Sequence, residues 1–137
     1  MDKTIIAVDF DGTLCIGNNF PEIGEPRMWL INKMIKMREA GAQLILWTCR
    51  ENYGGMYYEN KTYLDDAVEW CKQYGLEFDA VNQNINEAKY PEVKFCRKVV
   101  ADMYIDDKAV LFNDTEETLT LIAYDTLEKS TTHVNLF

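Results

Sequence analysis

Short apolar runs divide the chain, and each of them predicts a β-strand. In the first two runs the apolar residues follow one another almost without polar interruption, a pattern typical of strands covered on both faces in a parallel sheet. The predicted strands are Thr4–Val8, Leu44–Trp47, Phe78–Val81, Val99–Ile105 and Ala109–Phe112.

Amphipathic segments with helical spacing lie between these runs. We expect helices over about residues 26–40 and 62–75, the second of which begins with a T-x-x-D sequence that has the form of a capping box. A last helix is expected over about residues 115–124. This alternation predicts a single α/β domain over residues 1–137, a three-layer Rossmann-like arrangement around a mostly parallel sheet. Ligands of such sheets bind beyond the carboxyl ends of the strands.

Composition and charge narrow the classes of protein. The chain has 137 residues, 47% of them hydrophobic and 27% charged, which argues against a disordered or low-complexity chain. Its apolar runs are far shorter than the roughly 20 residues that span a bilayer, and no signal peptide is recognised, so we expect no membrane partner. The net charge of −9 argues against general nucleic-acid binding.

The cysteine and histidine content argues against a zinc site. The four cysteines form no C-x-x-C pair, and the single histidine is His133, near the end of the sequence. Without a secretory signal we expect reduced thiols and a cytoplasmic protein.

Acidic and hydroxyl residues stand where the predicted strands end. Asp9 and Asp11 follow the first strand, Thr48 follows the second, and Asp106 and Asp107 follow the fourth. Like charges brought to one edge repel one another, so either some of these acids are protonated or a cation lies among them. Oxygen ligands without a nearby histidine or cysteine favour Mg²⁺. The pattern therefore predicts a magnesium site.

The same residues resemble the motifs of a known superfamily. The segment Val8-Asp9-Phe10-Asp11-Gly12-Thr13 resembles the D-x-D-G-T signature of the haloacid dehalogenase superfamily of phosphohydrolases. Three further segments are similar to its other motifs, in the same order over about residues 4–112: Leu44-Ile45-Leu46-Trp47-Thr48, then Lys98 (with Lys94 as a competitor), then Tyr104-Ile105-Asp106-Asp107.

The resemblance implies a Mg²⁺-dependent phosphatase that acts through an aspartyl-phosphate. Asp9 is then the nucleophile, and Asp11 is the general acid and later the base, a role that requires it to carry a proton at neutral pH. Thr48 and Lys98 would hold and neutralise the transferring phosphate.

The resemblance also implies a ligand set for the metal. It consists of the carboxylates of Asp9 and Asp106 and the backbone carbonyl of Asp11, with Asp107 acting through water or by orienting the ligands. Gly12 would let the chain turn sharply beside the phosphate. Thr13 has two open roles, satisfying the loop backbone or contacting the substrate.

The gaps between the motifs are too short for a cap domain, so we expect an open site of the capless type. An open site suits a phosphorylated macromolecule as well as a small molecule, or closure by a second subunit in a homo-oligomer. The glycine- and tyrosine-rich stretch after Thr48 borders the pocket, and its tyrosines either stack on a substrate or pack over the sheet edge. Candidate substrate contacts are Gly12, Thr13, Cys49, Arg50, Tyr57 and Tyr58.

Three other functions stay open at this point. A nucleotidase or nucleic-acid end phosphatase is favoured by the basic stretch 89–98 and the tyrosines, and disfavoured by the net charge. A receiver-like signalling module uses similar residues, but its acidic pair follows the first strand, and the order of motifs differs. A metal-binding protein without turnover is the third.

Overall fold

A computed structural model of the chain describes residues 3–55, 59–85 and 91–109, except the side chains of 94 and 95, together with residues 116, 125 and 128. The chain divides into two compact units, residues 1–107 and 108–137. The predicted strand at 109–112 and the predicted last helix lie in the second unit, largely outside the described residues, although Glu116 is helical. The prediction of one domain stays a prediction.

The first unit is an α/β structure built on a parallel sheet. The sheet has the strand order β5-β2-β1-β6, and β3 and β4 form a separate antiparallel hairpin. The strands are β1 (Ile5–Val8), β2 (Gln43–Leu46), β3 (Asn52–Tyr53), β4 (Lys61–Thr62), β5 (Ala80–Val81) and β6 (Met103–Ile105). The helices are α1 (Met28–Glu39), α2 (Tyr63–Gln73) and a 3₁₀ turn at Pro91–Phe95.

Both faces of the sheet are covered. Ile6 and Val8 point to one face, where they pack in a core with residues of β2, α1 and α2. Ile5 and Ala7 point to the other face and pack with a smaller group that includes Val99. All four residues of β1 are buried, which confirms the prediction from its uninterrupted apolarity. The fold is Rossmann-like, with a small four-stranded sheet as its middle layer.

The register of the sheet brings the ends of three strands together. Val8 pairs with Leu46 on one side and with Ile105 on the other. The ladder continues one step further, because the N–H of Asp9 donates to the carbonyl of Ile105 at 2.9 Å. Asp9 and the residue after Ile105, Asp106, are therefore neighbours across 97 positions of sequence.

The segment after β2 differs from the prediction. It contains the β3–β4 hairpin where the sequence predicts no strand, and the two-residue strands of this hairpin are exposed and carry no apolar alternation. The capping-box prediction is also wrong in detail, since the Thr62 hydroxyl donates to the Asp66 side chain at 3.0 Å. The backbone N–H of Asp65 donates instead to the side-chain oxygen of Asn52, at 3.2 Å. The hairpin supplies a cap that local spacing could not reveal.

The segments around the site are short. Within residues 3–55 and 59–85, a loop and α1 separate β1 from β2, and the hairpin and α2 separate β2 from β5, so this part of the chain holds no cap domain. Among the described residues, no helix combines the length and the apolar composition needed to cross a membrane.

Candidate functional site

Three carboxyl groups converge at the carboxyl ends of β1 and β6. One carboxylate oxygen from each of Asp9, Asp106 and Asp107 lies within 4.8 Å of the other two. Asp9 is half-buried, whereas Asp106 and Asp107 are exposed. We call these three residues the carboxylate cluster.

The electrostatics of the cluster favour a cation. The pKa of Asp9 is raised from 3.8 to about 6, chiefly because burial disfavours its charged form. Hydrogen bonds from the Phe10 backbone and the Thr13 side chain lower this pKa, and the charges of Asp106 and Asp107 raise it further. A divalent ion among the three groups would offset the cost of burying the Asp9 charge and the repulsion between the three carboxylates. The all-oxygen donor set fits Mg²⁺ or another hard cation.

The loop after β1 is tied to the end of β6 by the Thr13 hydroxyl. Thr13 is buried, and its Oγ1 donates to Oδ2 of Asp9 at 3.0 Å. The same oxygen accepts the backbone N–H of Asp107 at 3.1 Å. Thr13 therefore satisfies the loop and the cluster together, which favours the first of its two predicted roles.

Gly12 allows the loop to approach the carboxylate of Asp107. Its φ is +79°, and a Cβ atom there would clash with Oδ2 of Asp107. That oxygen also accepts from the Asn18 side chain at 3.3 Å. The close neighbour of Gly12 is thus a carboxylate of the cluster.

Arg27 secures the other side of this loop and was not predicted. Its Nε donates to the carbonyl of Thr13 at 2.8 Å, and its Nη2 donates to that of Gly12 at 3.3 Å. Arg27 immediately precedes α1, so the helix start fixes the backbone of the D-x-D-G-T loop. Nothing in the local sequence marks this arginine as a loop anchor.

Thr48 lies two residues past the end of β2 and is half-buried. Its hydroxyl accepts the backbone N–H of Arg50 at 3.1 Å, and its own N–H donates to the side-chain oxygen of Asn82 at 2.8 Å. Asn82 follows β5 with a φ of +52°, in the left-handed region that asparagine tolerates. Asn82 was missed, although its position after a strand is the signal that identified Asp9 and Thr48.

The carboxylate of Asp11 pairs with Arg50 and is not one of the three groups of the carboxylate cluster. Its Oδ2 accepts from Nε of Arg50 and its Oδ1 from Nη2, both at 2.8 Å. Arg50, predicted as a substrate contact, is only 2% exposed. The two parallel hydrogen bonds from the guanidinium fix the plane of the Asp11 carboxylate.

The remaining predicted residues have separate positions. The Lys98 ammonium group lies 4.7 Å from the ring centroid of Tyr104, on β6, and its phosphate role stays a prediction. Cys49 is exposed beside Thr48. Tyr57 and Tyr58 lie outside the described residues, and the alternative lysine, Lys94, lies outside the described side chains.

Comparisons with known proteins give one relative over the whole chain. No family model matches the sequence, and no curated protein matches it. A solved structure, described as the conserved protein coded by a locus from Bacteroides thetaiotaomicron, is 32% identical, with a TM-score of 0.64. The match covers 99% of this chain and 98% of that one. The chain belongs to the same family as this conserved Bacteroides protein.

Proposed function

We propose that the chain is a Mg²⁺-dependent phosphomonoester hydrolase of the haloacid dehalogenase superfamily that forms an aspartyl-phosphate on Asp9. The observation that supports this most strongly is the carboxylate cluster, in which the first acid of the D-x-D-G-T loop meets the acidic pair that follows β6. A cation site alone needs no such loop, but phosphoryl transfer needs a nucleophile beside the charge that stabilises it.

In this proposal Asp9 is the nucleophile. An oxygen of the Asp9 carboxylate forms a bond to phosphorus while the bond from phosphorus to the leaving-group oxygen breaks, and the leaving-group oxygen takes up a proton from Asp11. Water then gives a proton to Asp11 and attacks the same phosphorus atom, which breaks the bond to Asp9 and releases phosphate and the Asp9 carboxylate. The hydrogen bond from the Thr13 hydroxyl to Oδ2 of Asp9 fixes the orientation of the nucleophile.

Asp9, Asp106 and Asp107 would hold the magnesium ion. When bound, the ion neutralises the carboxylates and the phosphate charge that would otherwise repel them. Thr48 stands at the adjacent strand end, where its hydroxyl and the neighbouring backbone N–H groups would receive phosphate oxygens.

Asp11 is proposed to move protons from its place beside Arg50. Each carboxylate oxygen accepts one N–H from the guanidinium and keeps a further lone pair for a water molecule or a leaving group. Because both carboxylate oxygens of Asp11 already accept from Arg50, a metal-binding protein without turnover is the second candidate function. It needs only the cluster and makes no use of Asp11.

Hydrolysis of an aryl phosphate with Mg²⁺ tests the proposal and separates the two candidates. We expect turnover by the wild-type chain, its loss in EDTA and its return with Mg²⁺. Asp9→Asn should abolish turnover while its circular dichroism spectrum stays native. Glu69→Gln, an exposed acid on α2, is the control and should stay active. Mg²⁺ binding without any hydrolysis would favour the second candidate, and full activity in EDTA would exclude the metal from the reaction.

The natural substrate is a phosphorylated compound, and a panel of sugar phosphates, nucleotides, phosphopeptides and phosphorylated oligonucleotides identifies its class. A cytoplasmic location is part of the proposal, in agreement with the four free thiols.

A further inference from the structure

The guanidinium group of Arg50 joins two segments of the chain that are far apart in sequence. Besides its two bonds to Asp11, its Nη2 donates to the backbone carbonyls of Pro21 at 3.2 Å and Glu22 at 3.3 Å. The Arg50 guanidinium therefore links Asp11 to the segment between the D-x-D-G-T loop and α1.

Two aromatic rings complete the surroundings of the guanidinium. Its central carbon lies 5.1 Å from the ring centroid of Phe10 and 5.0 Å from that of Phe20. Phe20 also contacts the ring of Tyr63, with the centroids 4.8 Å apart, at the start of α2. Cation–π contacts of this kind restrict the plane of the guanidinium. Arg50 is held in one orientation although it has four rotatable bonds.

The backbone of Arg50 is fixed as well. Its N–H donates to the Thr48 hydroxyl at 3.1 Å, and its carbonyl accepts from the Asn82 side chain at 3.2 Å. The base of the side chain is thus held by the ends of β2 and β5, and its tip reaches the loop after β1.

Stability alone does not account for this arrangement. The Nη1 atom of Arg50 is buried and has no hydrogen-bond partner in the part of the chain that the structure describes. A buried donor without a partner is destabilising, and buried ion pairs are often no more stabilising than apolar side chains of the same volume. A geometric role for the guanidinium explains why an arginine occupies the position.

We propose that Arg50 is a positioning residue: it fixes the direction of the Asp11 carboxylate and attaches the segment Phe20–Glu22 to it. This rests on the proposed function, in which Asp11 exchanges protons with the leaving group and with water. The two parallel N–H bonds set the plane of the carboxylate, which a single bond from a lysine could not do. Arg50 then acts on turnover only through Asp11.

A double-mutant cycle between Arg50 and Asp11, with an aryl phosphate as the substrate, tests whether Arg50 acts only through Asp11. We expect Arg50→Gln to lower kcat by about 10- to 100-fold, the range for a misplaced acid–base group, with KM changed by less than about threefold. The kcat of Arg50→Lys should be close to that of Arg50→Gln, because lysine keeps the positive charge but lacks the two parallel N–H donors. In an Asp11→Asn background, Arg50→Gln should cause little further loss.

Arg38→Gln is the matched control. Arg38 forms a similar two-bond pair with Asp79 beside the start of β2, and its removal should leave kcat and KM unchanged. An equal loss from Arg50→Gln in both backgrounds would overturn the proposal, since Arg50 would then act independently of Asp11. Full activity of Arg50→Lys would overturn it too, because charge alone would suffice.

Hydrogen exchange keeps the test decisive if the wild-type chain hydrolyses no phosphate ester. In that case the proposed function fails, and the link between the two segments is judged by the amide of Glu22, which donates to the Asn19 carbonyl at 3.0 Å. Faster exchange of this amide in Arg50→Gln, but not in Arg38→Gln, supports the attachment. Unchanged exchange overturns it.

Discussion

The Thr13 hydroxyl accepts the backbone N–H of Asp107 at 3.1 Å, across 94 positions of sequence. Because the same hydroxyl donates to Asp9, one small side chain joins the first and last motifs of the candidate site. This relationship gives the third polar residue of the D-x-D-G-T loop a defined role in assembling the carboxylate cluster.

Thr13→Val should therefore lower the free energy of unfolding. It keeps the shape of the side chain but leaves the Asp107 N–H without its acceptor, and such a loss in a partly buried setting costs about 1–3 kcal/mol. Chemical denaturation in EDTA measures the change in the free energy of unfolding. Thr13→Ser, which keeps the hydroxyl, should lose clearly less. Equal losses in the two variants would show that the methyl group, and not the hydrogen bonds, matters at this position.

Gly12→Ala should destabilise the fold and weaken Mg²⁺ binding. The new methyl group would meet the Asp107 carboxylate, and the φ of +79° is strained for alanine, so we expect a cost of about 1–3 kcal/mol or more. Gly41→Ala is the control, since Gly41 has a φ of +110° and nothing within 4 Å of the added carbon. Denaturation gives the two stabilities, and calorimetric titration gives Mg²⁺ affinity. A similar affinity in both variants would contradict the role of the close approach.

The raised pKa of Asp9 predicts a pH dependence in the metal-free protein. Since the folded pKa is about 6 and the reference value is 3.8, the folded state holds the proton more tightly than the unfolded state. The favourable contribution is complete below about pH 4 and is lost as the pH rises through about 6. Thermal unfolding in EDTA should show Asp9→Asn more stable than the wild type at about pH 8, by a margin that shrinks toward about pH 5.

Mg²⁺ should reverse this order for the wild type. In the proposed function the ion binds the charged carboxylates, so the rise in Tm on adding Mg²⁺ should be larger at about pH 8 than at about pH 5. Asp9→Asn should show little of this rise. An equal rise in the variant would place the ion away from Asp9.

The lowered pKa of Asp79 predicts the opposite dependence of stability on pH. Burial alone would raise its pKa, but the bonds from Arg38 and from the Leu44 N–H lower it overall. Its stabilising effect is therefore present at neutral pH and is lost as the pH falls below about 4. Asp79→Asn should lower the free energy of unfolding by up to about 1 kcal/mol at neutral pH, since the pair is partly exposed. A difference that persists at low pH would contradict this assignment.

Sequence pattern predicted the parts of the fold that depend on burial along a strand. The uninterrupted apolarity of β1 and β2 predicted a covered parallel sheet, and the rule that parallel strand ends share an edge predicted that Asp9 and Asp106 lie close together. The helix boundaries differed by a few residues from the prediction, and β5 is shorter than predicted.

Side-chain contacts between distant segments could not be predicted in the same way. The pairing of Asp11 with Arg50 depends on where two loops meet, and neither residue has a local pattern that selects the other. The hairpin strands β3 and β4 have two residues each, too few for a periodicity to be recognised. Asn82 is the exception, because the strand-end rule applied to β5 would have found it.

The position of β6 has a consequence for biosynthesis. This strand is the last of the four-stranded sheet in chain order, yet it pairs directly with the first and carries two of the three acids in the cluster. A polypeptide synthesised only as far as α2 contains one of the three carboxylates, that of Asp9. The proposed cation site is therefore complete only after residues 103–107 have been added and β6 has paired with β1.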